Sequence, residues 1–297
     1  MQIAVAANPV KVWVLASRPR TLPAAVAPVV VGMALAIAHG VFAWGPALAA
    51  MLGACFIQIG TNFANDYFDF KSGADTAERL GPLRVTQAGL VTPSQIKAAT
   101  AIAFGLATCC GLYLTWVGGW PIVVIGLLSI LSGIAYTGGP FPLGYNGLGD
   151  LFVFVFFGLV AVGGTYYVQA LSFSPLALAV AVPVGLLSTA IIVVNNLRDV
   201  DTDVAAGKRT LAVLLGRGFA RKEYLALVAL SYAAPLALIA MGKVSAWTAL
   251  TLLSLPLAVS LVRKVNTLQG APLNAVLGGT GQLLLIFSLL LSLGLVL

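Results

Sequence analysis

Charge is what this chain has least of. Only 8% of its 297 residues are Asp, Glu, Lys or Arg, against about 25% in an average soluble domain. Histidine occurs once and cysteine three times. His39 stands alone at a loop edge, which leaves no histidine-centred triad, haem pair or usual zinc site to propose. Cys55, Cys109 and Cys110 lie inside apolar stretches without metal-ligand spacing and read as small packing residues. What replaces charge is hydrophobicity, at 60% of residues and a mean hydropathy of +1.02. That balance excludes a soluble globule, a disordered chain, a collagen and a coiled coil, and leaves a polytopic membrane protein.

A helix needs about 20 apolar residues to cross the hydrocarbon core. Nine stretches of that kind run over about 21–38, 45–65, 98–117, 120–137, 148–168, 174–194, 223–241, 244–262 and 276–297. They leave no room for a soluble domain, so a single all-α transmembrane domain over 1–297 is expected. Residues 1–20 hold only a weak apolar run before Arg18 and Arg20, and no cleaved signal is expected there.

With nine spans, 15 of the 16 basic residues fall on one side, and only Lys243 lies opposite. The positive-inside rule makes that side cytoplasmic and accounts for the net charge of +7 without nucleic acid. All nine acids fall on the same side, although no topology rule gathers them. A transporter would carry polar groups along a path through the bilayer. Chemistry gathered at one rim suits an enzyme acting on an amphiphile, head at the rim and tail in lipid.

Those acids sit in two related motifs. Asn195 to Asp203 is N-x-x-x-D-x-x-x-D; Asn65 to Asp75 is N-x-x-x-D-x-x-x-G-x-D. A spacing of four puts Asn195, Asp199 and Asp203 on one helix face, about 6 Å apart along the axis, and does the same for Asn65 and Asp69. Gly73 is placed to end its helix and let Asp75 turn back. Four spans separate the motifs, which predicts a parallel repeat with halves at about 18–140 and 147–264 and the helix at 276–297 added. Carboxylates this close repel unless a cation lies among them. Oxygen donors without His or Cys suit Mg2+, which binds through a few carboxylates plus substrate phosphate. The candidate ligands are Asn65, Asp66, Asp69, Asp75, Asn195, Asp199 and Asp203. The candidate diphosphate-binding cations are Lys71, Arg79, Arg84, Arg198, Lys208 and Arg209.

At this point the residues resemble a family. Ser17-Arg18-Pro19-Arg20-Thr21-Leu22-Pro23, the Asn65–Asp75 motif, Gly81–Gly89, Ala135-Tyr136-Thr137-Gly138-Gly139-Pro140, Gly147-Leu148-Gly149-Asp150 and Asn195–Asp203 with Gly207–Leu211 are similar to the UbiA superfamily of intramembrane aromatic prenyltransferases. The naphthoate-using branch is the nearest. Hydroxybenzoate-using relatives carry an acid where Gly73 stands and a Lys-Arg pair after the tyrosine; neither is present. Asp150 stands where many naphthoate relatives have Glu.

The resemblance implies nine helices around a central cavity that opens to lipid and is capped by two cytoplasmic loops. It implies Mg2+-dependent loss of diphosphate from a polyprenyl diphosphate and attack by 1,4-dihydroxy-2-naphthoate, with decarboxylation, in a prokaryotic plasma membrane. On that reading Asp69, Asp199 and Tyr136 are catalytic. Arg18 and Asn62 are candidates for the acceptor carboxylate, and Tyr145 for the ring site. Phe152, Phe154, Phe156, Phe157, Tyr166 and Tyr167 are candidates for the prenyl wall or for packing against lipid. Other aromatic acceptors, such as homogentisate or a chlorophyll precursor, and a membrane transporter are the alternatives.

Overall fold

The computed structural model describes residues 8–73 and 79–297. Asp75 and Glu78 lie outside them. The described residues are helical or irregular, with no strand. In chain order the helices are α1 (Pro9–Ser17), α2 (Leu22–Ala38), α3 (Trp44–Ser72), α4 (Pro93–Gly118), α5 (Trp120–Ala135), α6 (Gly149–Phe154), α7 (Ala161–Ala170), α8 (Pro175–Ala205), α9 (Leu211–Ala240), α10 (Leu255–Thr267) and α11 (Leu273–Val296). A π-helical turn, Val155–Val160, joins α6 to α7, and a 3-10 stretch, Ala246–Ser254, leads into α10. Among the described residues eight helical segments are long and apolar enough to cross a membrane. The 16-residue α5 is a ninth, shorter apolar helix.

Local chemistry sets the ends. Thr92 closes a capping box with Gln95 at the start of α4, and Ser174 and Thr210 cap α8 and α9. Gly73 ends α3 at φ 72°, its N–H reaching the Asp69 and Phe70 carbonyls, as its position predicts. Helix α3 runs to Ser72 and α8 to Ala205, past the apolar runs and far enough to carry both polar motifs, as their spacing and Gly73 predict. One boundary differs from expectation. Helix α9 opens with a short piece from Leu211, breaks at Gly216 (φ 83°) and resumes at Arg217 rather than near 223, so Arg217, Arg221 and Lys222 sit on a helix instead of in a loop.

The helices close into a ring. α3 packs on α4, α4 on α5, α8 on α9, and α11 on α2, α8 and the Ala246–Ser254 stretch. α2 also touches α3, α7 and α8. The larger apolar core, with Val31, Leu187, Leu284 and Phe287 at its centre, joins α2, α8 and α11. A smaller one, with Val12, Phe63, Val85 and Ile96, ties α1, α3 and α4 to the loop that precedes α4. α6–α7 and α8 approach closely where Gly158 meets Gly185: a Cβ on Gly158 would lie 2.7 Å from the Gly185 Cα. Helix α5, packed on α3 and α4, buries one side chain, Ile122, and exposes Leu127, Leu128 and Leu131. Such a surface belongs against lipid. The protein is an integral membrane protein.

Candidate active site

One cavity of about 630 Å3 runs through the ring. Its polar end is built from the last turns of α3 and α8, which bring Asn65 and Asp69 to the same space as Asn195, Asp199 and Asp203. Arg18, Arg79, Arg84 and Lys208 border it as well, with Tyr136 and Tyr145. The other end is apolar, walled by Ile57, Leu112, Val123, Ile130, Phe152, Phe156 and Phe157. Phe154 instead packs at Gly185, and neither Phe154, Tyr166 nor Tyr167 lines the cavity.

Each acid at the polar end already faces a cation. Asp69, 3% exposed, accepts from Arg84 Nη2 at 2.6 Å and from the Tyr145 hydroxyl. Asp199 accepts a two-point contact from Arg198, Nε to Oδ1 at 2.8 Å and Nη2 to Oδ2 at 2.5 Å. Asp203 pairs with Lys208 at 3.6 Å, and the Lys208 ammonium lies 4.4 Å from the centre of the Tyr145 ring. Asn65 accepts from the Thr137 hydroxyl at 2.8 Å, and Asn195 from Arg198 Nη2 at 2.9 Å. Tyr136 stands just past α5, and a Cβ on Gly149 would sit 3.0 Å from its hydroxyl.

Several residues singled out from sequence go elsewhere. Asp66 turns away from the cavity and accepts from the Val85 and Thr86 amides, both at 3.2 Å; its oxygens fold the loop rather than face a metal. Arg198 is 1% exposed and does not line the cavity. Its guanidinium is used on Asp199, Asn195 and, at 2.7 Å, Asn274, so it positions the second motif instead of meeting substrate. Lys71 and Arg209 are exposed and off the cavity; Arg209 contributes its backbone N–H, bonded to the Tyr145 carbonyl at 2.7 Å. Asn62 lines the cavity, but its amide is spent on the Ser17 carbonyl and Thr21 hydroxyl. Sequence reasoning missed Thr137, Thr21 and Gln58 as cavity residues. Gln58, a polar side chain in mid-helix of an apolar span, was the available signal.

The donor set suits a hard divalent ion: amide and carboxylate oxygens only, from two helices. Among the described residues no three His, Cys, Asp or Glu side chains form a ready cage. Mg2+ asks for none, since it takes few protein ligands and keeps room for phosphate oxygens.

Fold and site together describe a membrane protein built for an amphiphile with an anionic head. The fold is shared with a UbiA homologue from Aeropyrum pernix K1 (TM-score 0.69, 15% identity, 90% of this chain and 96% of that one). It is shared also with one from Archaeoglobus fulgidus whose structure is bound to DMAPP and Mg2+ (0.68, 13%, 94% and 99%). The UbiA prenyltransferase family pattern matches residues 25–273, and the chain belongs to that family. It is 40% identical over 278 residues, 93% of this chain and 94% of the relative, to the 1,4-dihydroxy-2-naphthoate octaprenyltransferase of Mycobacterium tuberculosis (strain ATCC 25618 / H37Rv). It is 41% identical over 260 residues, 85% and 84%, to the protein of that name from Escherichia coli (strain K12).

Proposed function

We propose that this protein transfers a polyprenyl group from a polyprenyl diphosphate to 1,4-dihydroxy-2-naphthoate with loss of CO2, giving the quinol form of demethylmenaquinone. The observation that carries the reading is the cavity in which the Asn65/Asp69 and Asn195/Asp199/Asp203 rows share a polar end above an apolar chamber. Naphthoate relatives about 40% identical over most of the chain support the choice of acceptor.

Asn65, Asp69, Asn195, Asp199 and Asp203 would hold Mg2+ with the diphosphate, and Asp75 of the first motif belongs to the same set. When bound, that ion offsets the charge that develops on the leaving diphosphate. Arg79, Arg84 and Lys208 add positive charge at the same end and favour the leaving group over the intact ester. The allylic C–O bond breaks and its electron pair leaves with the diphosphate. Phe152, Phe156 and Phe157 keep water from the allylic cation, and the π face of neutral Tyr136 stabilises it. Arg18, at the polar end, meets the acceptor carboxylate. The ring carbon bearing that carboxylate donates its electron pair to the allylic carbon. The C–CO2 bond then breaks, and its pair restores the aromatic ring, so no outside oxidant is needed.

We place the polar end on the cytoplasmic side of a prokaryotic plasma membrane, as the basic residues dictate, and read the chain as one domain of two parallel four-helix halves plus α11. The test is product identity. Membranes containing the protein, given Mg2+, labelled polyprenyl diphosphate and a panel of aromatic acids, should yield the prenylated naphthoquinol and none after chelation by EDTA. Prenylated homogentisate or hydroxybenzoate as the main product would overturn the acceptor.

A further inference from the structure

The polar atoms beside Arg18 leave one hydrogen-bonding demand unmet. The Thr21 hydroxyl donates its only proton to the Arg18 carbonyl at 2.9 Å. Its oxygen therefore takes donors, and it takes two: Gln58 Nε2 at 3.1 Å and Asn62 Nδ2 at 2.9 Å. Asn62 Nδ2 also donates to the Ser17 carbonyl, at 2.9 Å, which leaves Asn62 Oδ1 to accept from Gln58 Nε2 at 3.4 Å. Both amide nitrogens are thus spent, and their orientations are set by one hydroxyl proton. Gln58 Oε1 is what remains. It is buried, on a side chain 8% exposed that lines the cavity, and nothing donates to it among the described residues. A buried acceptor without a donor is costly, so it calls for a ligand that supplies one.

The substrates differ in what they can supply. A diphosphate ester offers oxygens that accept, and its prenyl chain has no donor at all. The dihydroxynaphthoate has O–H groups. Its C1 hydroxyl is ortho to the carboxylate and donates internally, which leaves the C4 hydroxyl available. We infer that Gln58 is the residue that reads the acceptor ring, its Oε1 accepting the C4 hydroxyl proton while Asn62 and Thr21 hold the amide in place. Gln58 contacts substrate; Asn62 and Thr21 are positioning residues. The inference rests on the naphthoate reading above and adds the group by which that acceptor is told from a ring lacking the hydroxyl.

The test is binding, which needs no turnover. Purified full-length protein is titrated anaerobically with 1,4-dihydroxy-2-naphthoate, its 4-deoxy analogue and its 4-methyl ether, with naphthalene fluorescence as the readout. For the wild type the deoxy compound and the ether should each bind about tenfold more weakly, because either leaves Oε1 unpaired. In Gln58→Met all three should bind within about twofold of one another, at the weak level, while binding of geranyl diphosphate with Mg2+ stays unchanged. Undiminished discrimination in Gln58→Met, or an ether that binds the wild type as well as the parent, overturns the assignment. The ether arm uses only wild-type protein, so it decides even if the variant misfolds. Discrimination in binding without prenylated naphthoate in the membrane assay would sink the transfer reading and leave Gln58 standing; transfer without discrimination would sink Gln58 alone.

Discussion

At the scale of single residues, the polar end separates side chains that meet substrate from side chains that hold those in place, and neighbours in sequence fall on opposite sides of that division. Arg198 and Asp199 are adjacent, yet the first is sealed behind the cavity wall and the second borders the cavity. Removing Arg198 leaves Asp199 without its two-point partner and releases Asn195 and Asn274. Arg198→Met should therefore cost about 3 kcal/mol of stability and nearly all activity, read as a lower melting temperature in detergent and a lost product peak. Arg209→Ala, at an exposed position, should change stability by less than about 0.5 kcal/mol and leave donor KM unaltered. Asp69→Asn keeps the shape and an acceptor for Arg84 but removes the charge; prenyl transfer should fall by about 100-fold or more with expression intact. Full activity in Asp69→Asn would remove the acidic rows from the chemistry. A tyrosine phenol is ordinarily protonated at neutral pH, which points to the ring and hydroxyl of Tyr136 rather than to a phenolate. Tyr136→Phe should keep activity within about tenfold, with an unshifted pH–rate profile, whereas Tyr136→Ala should lose about 100-fold. A base-limb pKa that disappears in Tyr136→Phe would contradict this.

At the scale of elements, α3 uses successive polar residues for different partners. Asn62 reaches back to the α1–α2 corner, Asn65 crosses to Thr137, Asp66 caps the loop before α4, and Asp69 enters the cavity. The N-x-x-x-D spacing is enough to put Asn65 and Asp69 on one face, and the same arithmetic aligns Asn195, Asp199 and Asp203; that part of the site was legible. The fate of Asp66 was not, because it depends on a loop 19 residues on in the chain returning its Val85 amide to α3. Nor was the sealing of Arg198, which depends on Asn274 at the head of α11. Helix number was legible from apolar run length, and the continuation of α3 and α8 through the polar motifs from their spacing and Gly73, but the start of α9 was not. The Asp66 assignment makes a prediction at this scale. Asp66→Ala removes two amide contacts that hold the loop carrying Arg79 and Arg84, at a cost of about 2 kcal/mol. Donor KM should rise several-fold, while kcat at saturating donor stays within about threefold. A kcat collapse without a KM change would return Asp66 to the chemistry.

At the scale of the whole molecule, charge and aromatic residues divide the bundle into two unlike ends. Trp44, Trp116, Trp120 and Trp247 are exposed at the ends of α3, α4, α5 and the Ala246–Ser254 stretch that lie opposite the cavity's polar mouth. Exposed indoles of that kind settle at the lipid headgroups and mark where the bilayer ends. On the mouth side the basic residues take over, with Lys264 near the end of α10 and Lys208 between α8 and α9. Lys243, at the far end of α9, is the exception that makes orientation measurable. In a cysteine-free background, Lys243→Cys and Lys264→Cys should react with a membrane-impermeant maleimide from opposite sides. Intact cells should label the first, and inverted vesicles the second. Both positions lie outside the candidate site, so transfer activity should survive either change and certify the fold of the labelled protein. Labelling of both from one side would break the nine-crossing topology, because the Ala246–Thr267 segment that separates the two positions would then fail to cross the bilayer.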